Sequence, residues 1–242
     1  MKKTIKFVAV FAAAALAFGA APAATAATAT KACLALDTGG VDDKSFNASA
    51  WSGAQAAAKA DKNVTVKYLA AAADADYAPN IKKLVDEKCN LIIGVGFLIN
   101  SAIVAGAKAN PTVNFAIVDQ DGEDHGADGS VYPGTKFPNL KPIQFSTNES
   151  AFQAGYVAAG VSKTGKVATY GGLNIPPVTI FMDGFAKGVA HYNKAKGKTV
   201  TVLGWDTAKK DGTFVGGFSD SAKALQISKN FEQQGADVIF PV

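Results

Sequence analysis

The residues best suited to chemistry fall at four places where an apolar run gives way to polar, glycine or aromatic residues. The first is Asp37-Thr38-Gly39-Gly40-Val41-Asp42-Asp43-Lys44-Ser45-Phe46-Asn47. Gly39 and Gly40 permit a tight turn there, and Asp43 or Ser45 can cap a helix that follows. The second is Gly94-Val95-Gly96-Phe97, the third is Asp119, and the fourth holds Pro176, Pro177, Phe181 and Asp183. Phe46 and Phe181 each open a helix, and two facing rings make a slot for a flat ring system through stacking and apolar burial. Carboxylates at Asp43 and Asp119 accept hydrogen bonds from amino, ring N–H or hydroxyl groups of such a ligand. A plainer alternative packs each Phe beneath its own helix and leaves Asp43 as a simple cap.

Other chemistries are poorly supplied. Gly94-Val95-Gly96 lacks the third glycine of a dinucleotide fingerprint, and no Walker lysine follows a glycine loop, so neither NAD nor ATP nor any other cofactor is expected. The acidic run Asp119, Asp121, Glu123, Asp124, Asp128 has the look of a calcium loop, but Asp124 stands where an EF-hand needs Gly, which makes it a solvated loop. His125 and His191 neighbour no nucleophile or ligand cluster, so no metal or catalytic role is expected of them. A hydrolase with Asp43 and Asp119 as acid and base would need two carboxylates of divided protonation state, and nothing singles out such a pair.

The elements that must hold these residues alternate. Strand-like runs at 32–36, 64–69, 91–95 and 113–118 are separated by helical patterns at 45–60, around Pro79 to Val85, and through Ile103 to Ala107. The stretch 120–140 lacks periodicity and reads as a long surface connection. Ser146 with Glu149 forms a capping box for a helix carrying Phe152 and Tyr156 one turn apart. Strands at 167–170, 200–203 and 238–242 then alternate with helices at 180–193 and 219–234. The pattern predicts an α/β fold of two lobes, 31–145 and 146–242, each a parallel sheet flanked by helices, with ligands bound beyond the carboxyl ends of the strands. The last strand has nothing after it to cover the sheet, so the second lobe is expected to be truncated.

Lys2 and Lys3, an apolar run from Phe7 to Phe18 and small residues up to Ala26 predict a cleaved signal peptide over 1–26 and an exported protein. The apolar run is shorter than a membrane span, and no Cys follows it to carry a lipid. The net charge of +4 owes much to the leader, and so small an excess gives no reason to expect nucleic acid as partner. Every basic residue is lysine, and without arginine's planar fork an uncharged ligand is favoured over a carboxylate or phosphate. Cys33 and Cys89 begin the first and third strands, which neighbour each other in a 2-1-3 sheet, so a disulfide is expected; two buried free thiols are the alternative.

The loop from Leu36 to Asn47 closely resembles the signature loop of the basic membrane protein family of ABC-transporter receptors. Val95-Gly96-Phe97, Phe115 to Asp119, Phe152 to Tyr156, Phe181 to Phe185 and Gly235 to Val242 also match that family, in order along the chain. Its members look like type I periplasmic binding proteins and include purine nucleoside and riboflavin receptors. The resemblance implies a monomeric receptor that hands a nucleoside-like ligand to a membrane permease, with riboflavin or another planar heterocycle as the alternative cargo. It implies that Phe46 and Phe181 stack on a base, that Asp43 and Asn47 read its edge, and that Asp119 holds a ribose, with Ser45 and Gly96 completing the wall. Many members are lipoproteins and extend well past the position of Val242, two points where this sequence departs from the pattern.

Overall fold

Runs of Val, Ile and Leu buried on both sides need helices on both faces of a parallel sheet. The structure is a computed structural model, which describes residues 29–123 and 137–242, and it contains two such sheets. The first comprises β1 (Thr30–Leu36), β2 (Val64–Ala70), β3 (Leu91–Val95), β4 (Asn114–Val118) and β5 (Leu140–Ile143), all parallel, in the order β2-β1-β3-β4-β5. Between them run α1 (Phe46–Ala60), α2 (Tyr77–Asp86) and α3 (Asn100–Ala109). Leu34, Leu36 and Val95 face α1, where Trp51 meets Tyr68 edge-on at 4.9 Å. On the other face Ile81 and Leu84 of α2 and Ile103 of α3 close over Cys33, Ile92, Phe115 and Ile117.

The second sheet holds β6 (Lys166–Tyr170), β7 (Thr201–Leu203) and β10 (Val238–Pro241), ordered β10-β6-β7 and again parallel. Its helices are α4 (Thr147–Val161), α5 (Pro176–Lys196) and α6 (Ser221–Gln233), and β8 (Trp205–Asp206) pairs with β9 (Asp211–Gly212) as a short hairpin. Both sheets place their first strand between their second and third. On one face Phe185 of α5 stacks on Phe240 of β10 at 4.9 Å, and on the other Tyr170 lies against Phe231 of α6.

Helices α4 and α5 cross at backbone contact because glycines stand at the crossing. A Cβ on Gly188 would lie 2.0 Å from the Phe152 carbonyl oxygen, and one on Gly155 2.0 Å from that of Phe185. Nearby, the rings of Phe152 and Tyr156 both meet His191, at 5.4 and 5.9 Å.

Several local expectations need correction. The capping box does not form: Ser146 makes no side-chain cap, and the Glu149 N–H donates instead to the Ser146 carbonyl. The Ser146 backbone, at ψ 55°, departs from the extended conformation typical of a capping residue. Helix α5 starts at Pro176 rather than 180, because proline fits the first helical positions, where no N–H is needed. The stretch read as a surface connection contains buried Gln120 and Gly122 and runs into β5, a strand the sequence reading missed. The hairpin β8–β9 was missed as well. His125, Asp124 and Asp128 lie outside the described residues, as does the leader over 1–26.

Cys33 and Cys89 are joined by a disulfide across adjacent strand starts, with a Cα–Cα distance of 6.0 Å and a sequence separation of 56. Closing a loop of that length removes disorder from the unfolded chain, a stabilisation of about 2–4 kcal/mol. The double variant Cys33→Ala/Cys89→Ala should therefore melt roughly 4–16 °C lower, at about 2–4 °C per kcal/mol for a chain of this size. Equal melting temperatures for the two proteins, measured without reductant, would show that the bridge contributes nothing.

Candidate ligand-binding site

The carboxyl ends of β1, β3, β4, β6 and β10 converge on a cavity of about 340 Å³. The first sheet supplies Asp37, Gly96, Phe97 and Asp119 just past its strands, and the start of α1 supplies Ser45, Phe46 and Asn47. The second sheet contributes Tyr170, the start of α5 with Pro177 and Phe181, and the segment from Val215 to Ala224. All seven ligand-site residues expected from the sequence (Asp43, Ser45, Phe46, Asn47, Gly96, Asp119 and Phe181) line this one cavity.

Their local roles differ. Asp43 is committed to the helix: its Oδ1 accepts the N–H groups of Ser45 and Ala48 at 2.8 and 2.9 Å, and its Oδ2 accepts that of Asn47 at 2.9 Å. Ser45 makes no side-chain cap. Asn47 is buried, and its Nδ2 donates to the carbonyls of Asp37 and Gly40 at 3.1 and 3.0 Å. Those two carbonyls fix which way the amide faces, so Oδ1 is left as a buried acceptor with no partner among the described residues. Gly96 sits at φ 104°, and a Cβ there would come within 2.4 Å of Asp37 Oδ2, so both its backbone and the close approach require glycine.

Asp119 is a half-buried carboxylate of the site. It holds a left-handed backbone, φ 62°, unusual for a side chain other than Gly, and its N–H donates to the Ile143 carbonyl at 2.8 Å. Burial pushes its carboxyl up to about 6, and no hydrogen-bond donor among the described residues offsets that. Burial also raises Asp37, although hydrogen bonds from the Tyr77 hydroxyl and the Thr38 N–H pull in the other direction.

Among the rings, Phe46 is 38 % exposed, whereas Phe181 is half-buried and leans on Phe240 at 6.5 Å. Phe218, 51 % exposed, lines the cavity from the second sheet and rests against Gly172. Sequence reasoning missed Phe218 and Asp220, whereas it named Phe97 at the second strand end. The Gly216-Gly217-Phe218-Ser219-Asp220 turn ahead of a helical pattern was the available signal for the first two. Asp183, named with the fourth strand end, does not line the cavity: it accepts from the Trp205 indole N–H at 2.9 Å and pairs with Lys210, anchoring the hairpin to α5.

Two parallel sheets of like strand order, with a ligand-sized cavity at their facing strand ends, define a protein of the periplasmic-binding class. A crystal structure of an ABC-transporter solute-binding protein from Aeropyrum pernix superposes with a TM-score of 0.74 at 27 % identity, over 88 % of this chain and 55 % of that one. Residues 30–242 match the family described as ABC transporter substrate-binding protein, PnrA-like, and the chain belongs to that family. A relative named nucleoside-binding protein BmpA, from Lactococcus lactis, is 33 % identical over 213 residues, 87 % of this chain and 54 % of its own length. Basic membrane protein D of Borreliella burgdorferi is 34 % identical over 203 residues, covering 84 % and 52 %. The chain thus spans about half the length of the curated relatives it matches. Among the described residues no helix is long and apolar enough to cross a membrane.

Proposed function

We propose that the chain binds a nucleoside-like ligand, a purine nucleoside before riboflavin or another planar heterocycle, and delivers it to the permease of an ABC importer. The observation that carries this reading is Asp119, a half-buried carboxylate without a donor among the described residues, set in the same cavity as the exposed rings of Phe46 and Phe218. A flat base fills the space beside the rings, and vicinal hydroxyls supply the donors that the carboxylate lacks. Asn47 Oδ1 is a second acceptor, suited to a ring N–H or amino group of the base. The relative named as nucleoside-binding supports the same ligand class. A hydrolase is disfavoured because both Asp43 oxygens are held by three backbone N–H groups, which removes it as an acid or base. Export by cleavage after Ala26, to a periplasmic or extracellular, cell-envelope-associated location as a monomer, belongs to the same proposal.

Calorimetry with a purine nucleoside across pH tests it. Hydroxyl donors stabilise the ionised form of Asp119, so binding should be strongest above about pH 7. It should weaken about tenfold by pH 5, one unit below the free carboxyl's value of about 6. Unfolding does not mimic this trend. A carboxyl raised in the folded state contributes stability that is present below about pH 4 and lost as pH rises through about 6, so this group favours the fold at pH 5. Affinity that stays flat from pH 7.5 to 5 would remove Asp119 from the contact.

A further inference from the structure

In α/β folds, the helix N-termini that follow strand ends are the usual holders of phosphate, because their first N–H groups are free. Among the described residues, three helices place first-turn residues in the wall of this cavity, and none of the three keeps an open set of such groups. At α1 the Asp43 carboxylate already occupies the N–H groups of Ser45, Asn47 and Ala48. At α6 the Asp220 Oδ1 accepts the Lys223 N–H at 2.9 Å. At α5 the first two residues are Pro176 and Pro177, which have no N–H, and the N–H groups of Val178 and Thr179 both donate to the Ile175 carbonyl at 3.0 Å. Asp37 and Asp119 add two more carboxylates to the wall, and no lysine lines it among the described residues.

We infer that the cavity is built to refuse anions: internal carboxylates and prolines close the phosphate-holding ends of its helices, so a phosphorylated ligand is rejected where the free nucleoside is taken. The inference rests on reading the cavity as a nucleoside site. A phosphate group entering here meets carboxylates where the fold ordinarily offers N–H groups: like-charge contact is weakly screened at half-buried Asp37 and Asp119, whereas salt screens it at exposed Asp220.

The test titrates the chain with a purine nucleoside, its 5′-monophosphate and inorganic phosphate, in the wild type and in Asp220→Asn. Asparagine keeps a capping oxygen for the Lys223 N–H while removing the charge. The nucleoside should bind at least about a hundredfold more tightly than its monophosphate, a difference of about 2.7 kcal/mol. In Asp220→Asn, and in the wild type at about 0.5 M salt, that ratio should narrow roughly threefold to tenfold. A monophosphate that binds within fivefold of the nucleoside, a ratio unmoved by Asp220→Asn, or saturable uptake of inorganic phosphate in equilibrium dialysis would each overturn the inference. Failure of the nucleoside to bind while phosphate is also refused would bring down the nucleoside reading and leave the exclusion standing.

Discussion

Gly188→Ala is expected to destabilise the chain by about 3 kcal/mol and lower its melting temperature by roughly 6–12 °C. The new Cβ would sit 2.0 Å from the Phe152 carbonyl oxygen and 2.8 Å from the Tyr156 nitrogen, and both are backbone atoms that no rotamer change can move aside. Helix α5 would have to lift off α4 along the crossing, loosening Gly184 and Gly155, which make similar approaches. The same substitution at Gly53, an exposed position of α1 with nothing within 4 Å of a Cβ, should have the opposite sign. There alanine should add roughly 0.5–1 kcal/mol by reducing the freedom of the unfolded chain. Thermal melts of the two variants side by side decide it: a Gly188→Ala melt at or above that of the wild type would mean that α4 and α5 are not in backbone contact.

The second large effect concerns the cavity. Phe46→Ala should weaken purine nucleoside binding by roughly tenfold to a hundredfold, since base stacking on a protein ring is worth about 1–3 kcal/mol. Phe218→Ala should do the same, because its ring is as free as that of Phe46. Phe181→Ala should lose less affinity and more stability, because that ring already spends one side on Phe240. Asp119→Ala should cost about 1.5–3 kcal/mol of binding, and more for a nucleoside than for its free base, which lacks the hydroxyls. Calorimetry on the four variants, each with a nucleoside and its base, separates the contributions. Unchanged affinity in both Phe46→Ala and Phe218→Ala would exclude a stacking slot, and equal losses for nucleoside and base in Asp119→Ala would exclude a hydroxyl contact.

Much of the framework is legible in the chain because it depends on short-range pattern. The run Leu91–Val95 is apolar and Val64–Ala70 is rich in β-branched and aromatic residues; both are short and follow turn residues, so they read as strands, and the structure places them there. Strand β5 is different. Leu140-Lys141-Pro142-Ile143 carries a proline and a lysine, and only the open edge of β4 makes it a strand. The two-residue strands of the β8–β9 hairpin are likewise too short to show a period; the Asp183 contacts to Trp205 and Lys210 hold them in place.

The site divides along the same line. Residue types and the ends of apolar runs were enough to nominate Phe46, Asn47, Gly96, Asp119 and Phe181, because a parallel sheet gathers its strand ends at one edge whatever its details. Which polar groups are already used is decided only by three-dimensional packing. Asp43 and Asp119 look alike in sequence, yet the first is consumed by three backbone N–H groups and the second meets no donor among the described residues. Phe218 and Phe181 look alike too, yet a β10 ring covers part of one and leaves the other open to the cavity. The sequence by itself determined the alternation of strands and helices and hence the edge at which a ligand must lie. The tertiary structure decided that Asp119 meets no donor among the described residues and that Phe181, unlike Phe218, is partly covered by Phe240 from a distant strand, pairings that no short-range pattern displays.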